Sequence, residues 1–147
     1  MKIEITNHQK IKKISPKKLS YVLRDVYELL GIRSKRISFL LCDNTLITSL
    51  NQKFLHRRRV TDVIAFILDD EFDPGYLGEV VVSVEEAVRQ AKCYGVYWYE
   101  EMLLYLIHGI LHLLGYDDIK KKDRDLMRQK EKYLLGALRT RVAVGKS

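Results

Sequence analysis

His108 and His112 stand four residues apart inside Leu103–Leu114, one of the most apolar stretches of this 147-residue chain. On a helix that spacing puts both imidazoles on one face, about one turn apart, where they can share a cation. An unpaired polar group out of water costs roughly 1 to 3 kcal/mol, so each ring needs a hydrogen-bond partner or a metal. Backbone or buried water would serve, but the following residues favour metal. Gly115 is placed to cap the helix in the left-handed conformation and to return Tyr116, Asp117 and Asp118 toward the histidines. Two imidazoles and a returning carboxylate leave one coordination position open, which is the arrangement of a catalytic rather than a structural zinc. Hard oxygen ligation by Asp118 also admits Mn²⁺, Fe²⁺ or Ni²⁺. Asp118 can instead cap a helix starting at Ile119, and Asp117 is the alternative ligand or a partner for a ligand histidine. Position 109 is glycine where the HExxH of zinc peptidases has its general base, so peptide hydrolysis is disfavoured. A glycine in mid-helix points to a close approach of backbone or substrate.

Several elements must position these residues. Lys2 to Asn7 alternates like a half-buried strand. Ser15-Pro16 opens a helix carrying Leu19, Val22, Leu23, Val26 and Leu30 to a stop at Gly31. Arg36 to Cys42 reads as a strand, and Asp43-Asn44 can cap a short helix through Thr48 to Phe54. Thr61 to Leu68 is a continuous apolar and β-branched run, the pattern of a strand buried on both faces. Gly78 to Val82 is the next strand, and Ser83 with Glu86 makes a capping box for a helix ending near Gly95. A core helix follows from Trp98 or Tyr99 to Leu114. The last helix runs from about Ile119 to Leu138 with Leu126, Met127, Tyr133 and Leu134 on its buried side, ahead of a flexible tail from Arg139 to Ser147. The expected architecture is a single α+β domain over residues 1–147: a small mixed sheet of about four strands packed with about five helices, the histidine helix at its centre.

With 26 Lys and Arg against 19 Asp and Glu, the formal charge of +7 favours a phosphate-rich partner. No run of about 18 apolar residues occurs and the start of the chain has no apolar leader pattern, so the expectation is a cytoplasmic protein without a membrane partner. Cys42 and Cys93 lack a CxxC partner and read as buried free thiols.

The stretch HGILHLLGYDD, residues 108 to 118, resembles the signature H-G-x-L-H-L-x-G-Y-D-H of the YbeY family of bacterial endoribonucleases. It matches at every specified position but the last, where this chain has Asp118. Leu50-Asn51, Thr61-Asp62-Val63 with Phe66, Gly78-Glu79, Ser83, Gln90-Ala91 and Met127 extend the resemblance over residues 36 to 135, with Ala65 where the family has serine. The resemblance implies an α+β fold around a metal-binding helix. It implies a metal, one Zn²⁺ per chain, held by His108, His112 and the residue at 118, which in the family is a third histidine. The implied activity is metal-dependent cleavage of single-stranded RNA in maturation of the 3′ end of small-subunit ribosomal RNA and in ribosome quality control. Ribosomal RNA or a ribosomal subunit is then the partner, with room for a protein partner.

The second departure lies in a basic loop. Leu55 stands at the register of a family arginine, Val60 replaces a proline, and His56, Arg57, Arg58 and Arg59 come between. These four are the expected RNA contacts, with the Arg57 guanidinium first choice for a catalytic role because its fork suits phosphate. Asp62 is either a strand-start residue or an acid-base group. Two other readings compete: a non-catalytic RNA-associated or ribosome-associated factor with a structural metal or none, and a mononuclear iron oxygenase using a two-histidine, one-carboxylate triad.

Overall fold

The β-branched segments of the chain build one four-stranded sheet in the order β1-β2-β4-β3. In this computed structural model, which describes residues 3–56, 61–68 and 71–146, the elements are β1 (Glu4–Asn7), α1 (Pro16–Leu30), β2 (Arg36–Cys42), α2 (Asn44–Leu55), β3 (Val63–Ile67), β4 (Tyr76–Ser83), α3 (Val84–Tyr94), α4 (Trp98–Leu113) and α5 (Lys121–Lys146). Strands β1, β2 and β4 run parallel, and β3 pairs antiparallel with β4, Val63 opposite Val82 and Ile67 opposite Gly78. The mixed sheet and five helices are the α+β architecture read from the sequence.

The helix boundaries have local causes. Ser15 Oγ accepts from the Lys18 amide ahead of Pro16, and Gly31 ends α1 at φ 69°. Asp43 accepts from the Leu46 amide to start α2, and Ser83 accepts from the Glu86 amide to start α3. The expected capping box at Ser83 is half made. The Ser83 amide donates to the Asp62 carbonyl at 3.0 Å, and the buried Glu86 carboxylate is taken by Arg89, Gln90 and Asn44.

The sheet separates two apolar clusters. On one side Phe39, Leu41, Val80 and Val82 join α1, α4 and α5 in the main core, and on the other Ile64 and Val81 meet Ile47 of α2. Helix α4 lies in the main core, with eleven of its sixteen residues buried.

Three expectations are corrected. Strand β3 is at the sheet edge and only Ile64 is fully buried, because α4 and α2 each cover part of it. In α5 the buried positions are Met127, Leu134 and Leu138, while Leu126 and Tyr133 face outward, and the helix continues past Leu138 to Lys146. Cys42 is buried, its thiol pushed up to about 12 by burial and the Asp43 charge, but Cys93 is exposed on the outer face of α3. That helix packs through Val84, Ala87 and Ala91 instead.

Candidate metal centre

The turn after α4 decides the geometry. Gly115 adopts φ 97°, its amide donates to the His112 carbonyl at 3.0 Å, and the Tyr116 amide donates to the Leu111 carbonyl at 3.0 Å. This paired closure of the last helical turn is the Schellman arrangement, and it folds the chain back over the histidine face. Asp117 then fixes the returning segment: its Oδ1 accepts from the amides of Asp118 at 2.7 Å and Ile119 at 3.1 Å. Helix α5 begins at Lys121, so Asp118 does not stand at its cap.

The result is a triangle of donor atoms. His108 Nε2 and His112 Nε2 are 3.2 Å apart, and Asp118 Oδ2 lies 3.5 Å from each. Tetrahedral ligands at zinc bond lengths of about 2.0 to 2.2 Å are separated by about 3.3 to 3.6 Å, so the donor set fits one small divalent ion with a fourth position open. Among the described residues these three form a group able to hold a metal.

Behind the triangle, His108 Nδ1 donates to Glu131 Oε1 at 2.6 Å, and the Glu131 side chain is only 12% exposed. A carboxylate on the far nitrogen fixes the tautomer that leaves Nε2 free as a ligand and makes it more basic. Burial pulls the His108 imidazole down, but the Glu131 hydrogen bond and charge, with Asp118 and Asp62, outweigh it and hold the ring above its ordinary value. The role of histidine partner considered for Asp117 is thus filled by Glu131, which sequence reading missed. The signal was present: Glu131 is an acid within the buried stripe Met127, Leu134 and Leu138, where a surface helix has no reason to place one.

Gly109 allows the helix to lie against the sheet. A Cβ there would come within 2.4 Å of Val80 Cγ1 and 3.3 Å of Val63 Cγ2, so a close backbone approach is the reason for the glycine. Between the C-terminal half of α4 and β3 opens a cleft of about 330 Å³, lined by the three donors together with Leu55, Asp62 and Ile67 among others. Burial raises the Asp62 carboxyl above its ordinary value against the opposing pull of the Val63 amide and His108. His56 caps α2 in the left-handed conformation at φ 56° and is exposed. Arg57, Arg58 and Arg59 lie outside the described residues, as does Val60.

Comparison with known proteins places the chain in a family. The family model described as Endoribonuclease YbeY matches residues 4–139. The chain belongs to the YbeY family. A relative named Endoribonuclease YbeY from Carboxydothermus hydrogenoformans is 37% identical over 137 residues, covering 92% of this chain and 96% of the relative. Another of that name from Geobacter metallireducens is 32% identical over 136 residues, covering 90% and 91%. A Thermotoga maritima protein solved in solution superposes with a TM-score of 0.65 at 26% identity, covering 95% of this chain and 93% of its own. The YbeY match of residues 4–139 spans the histidine helix and its returning turn.

Proposed function

We propose that this chain is a metal-dependent endoribonuclease, with one Zn²⁺ held by His108 Nε2, His112 Nε2 and Asp118 Oδ2. The observation that carries the reading is the donor triangle of 3.2, 3.5 and 3.5 Å, set in a chain of the YbeY family. When bound, the ion supplies Lewis acidity toward a phosphodiester oxygen and acidifies water at neutral pH. The carboxylate at 118 makes the site one negative charge richer than a three-histidine set, which weakens that Lewis acidity and broadens the choice to Mn²⁺, Fe²⁺ or Ni²⁺.

The chain's own groups do the rest. Glu131 holds the His108 ring in its ligand tautomer. Among the described residues Asp62 is the ionisable side chain of the cleft outside the ligand set, which places it to take and return a proton. His56, Arg57, Arg58 and Arg59 lie in sequence between the cleft-lining Leu55 and Thr61, followed by Val60, and hold the RNA backbone, with Arg57 meeting the charge that develops on the scissile phosphate. The substrate is single-stranded RNA, and the place of action is the cytoplasm, on ribosomal RNA 3′ ends and in ribosome quality control. Among the described residues no helix is long and apolar enough to cross a membrane.

The test is cleavage of a labelled single-stranded RNA by metal-free protein with zinc, manganese, nickel or iron(II) restored singly. Metal-dependent cleavage that disappears in His108→Ala His112→Ala is expected. Salt-sensitive RNA binding with no cleavage under any metal would replace this reading with a non-catalytic RNA factor, for which Leu55 at the family arginine position is the motive.

A further inference from the structure

Strand β3 runs along the cleft, and its two ends differ. Gly109 packs over Val63 and Val80, and Leu113, one residue past His112, reaches Gly78, the partner of Ile67. The cleft therefore passes from Asp62, which feels the charge of His108, to Ile67 at the His112 end. One end is acidic and the other is apolar. At the apolar end Ile67 is 64% exposed and Leu55, at the end of α2, is 44% exposed, and both line the cleft with the metal donors.

Exposed aliphatic side chains scattered over a surface need no explanation, but two that share one cleft with a ligand triangle do. Val63, Ala65 and Ile67 occupy the same face of β3 by its period of two; Val63 and Ala65 pack against the main core, while Ile67 extends beyond it. β3 pairs on one side only, with β4, among the described residues. A phosphodiester at the metal donors has a base on each neighbouring nucleotide, and only an unpaired base can leave its stack to meet a protein wall.

We propose that Leu55 and Ile67 form a subsite for one unpaired nucleobase of the RNA, beside the phosphate position at His108, His112 and Asp118. The assignment rests on the endoribonuclease reading and deepens it. Contact with the flat apolar face of a base is tolerant of sequence, so the subsite selects single strands over duplexes rather than one base over another.

The experiment compares a labelled hexauridylate with a ribose-phosphate hexamer of the same length lacking every base. Both are titrated by fluorescence anisotropy against the wild-type chain and against Leu55→Gln Ile67→Thr, replacements suited to a helix and a strand. The wild type is expected to bind hexauridylate about tenfold tighter than the abasic hexamer, within the lower half of the range for one base contact. In the double variant that ratio falls to about twofold or less, while the salt dependence of binding, which reports phosphate contacts, keeps its slope. Equal binding of the two hexamers by the wild type, or a tenfold ratio that survives the substitutions, overturns the subsite. Failure of the endoribonuclease reading shows itself separately, as absence of metal-dependent cleavage, and leaves this ratio unaffected.

Discussion

Helix α4 carries two polar pairs at the same spacing, Glu101 with Tyr105 and His108 with His112, and only the second has the third donor that makes a candidate metal centre. In the first pair Tyr105 Oη donates to Glu101 Oε2 at 3.0 Å, and both residues are buried. The pair satisfies itself. In the second the two nitrogens face a cleft, the Gly115 turn brings a carboxylate to 3.5 Å from both, and Glu131 holds the far side of one ring. Spacing by four residues places two groups together; a third donor and an opening turn the pair into a site. Asp62 lies between the two cases, since its charge acts on His108 and also on Glu101 and Tyr105.

Removing the support of the open pair should have the largest effect. Glu131→Gln keeps the shape but weakens the orientation of His108, and losing such a partner typically costs about 10- to 100-fold in metal affinity. Competition with a chromophoric chelator measures it; affinity within twofold of wild type would mean that Glu131 is only a packing residue that happens to meet His108.

The closed pair should respond in the opposite sense. Tyr105→Phe leaves a buried carboxyl without its donor and should destabilise the fold by about 1 to 3 kcal/mol in denaturant unfolding of the metal-free protein. Metal affinity should stay unchanged. A shift in metal affinity larger than in Glu131→Gln would erase the distinction between the pairs.

The open pair of this contrast was legible in the sequence, whereas the closed pair of Glu101 and Tyr105 was not singled out there. The Gly115 cap, the returning Asp118 and the lack of a carboxylate at Gly109 are local features, written in residues that are neighbours along the chain. Glu131 was not legible in this way, because it meets His108 across two helices and 23 positions, and the expected buried face of α5 joined Met127 and Leu134, which are buried, to Leu126 and Tyr133, which face outward. The apolar run of β3 suggested a strand buried on both faces. It is an edge strand, and part of its apolar surface lines the cleft instead of the core. Periodicity reports that a side chain avoids water, not which partner covers it.

The smallest effect concerns Asp62. Its folded pKa is raised from an ordinary 3.8 chiefly by burial, so at pH 7 the ionised carboxyl is favoured less in the folded chain than in the unfolded one, which destabilises the fold. Asp62→Asn should therefore raise the melting temperature at pH 7. The gain should shrink as the pH falls through the folded pKa and vanish below 3.8, where both states are protonated. Cleavage by the same variant should fall, the usual opposition between stability and activity at a working site. A melting gain that stays constant across this pH range would remove the buried charge as its cause.

Metal content is the direct measure of the central claim that His108, His112 and Asp118 together make the site. Untagged protein, dialysed after loading with zinc, is analysed by mass spectrometry as wild type, Asp118→Ala and His108→Ala His112→Ala, with circular dichroism confirming that each is folded. Close to one metal per wild-type chain, a reduced content in Asp118→Ala and none in the histidine variant is the predicted result. A folded wild-type chain that retains no zinc, nickel, manganese or iron(II), or a histidine variant that retains as much as wild type, would contradict it.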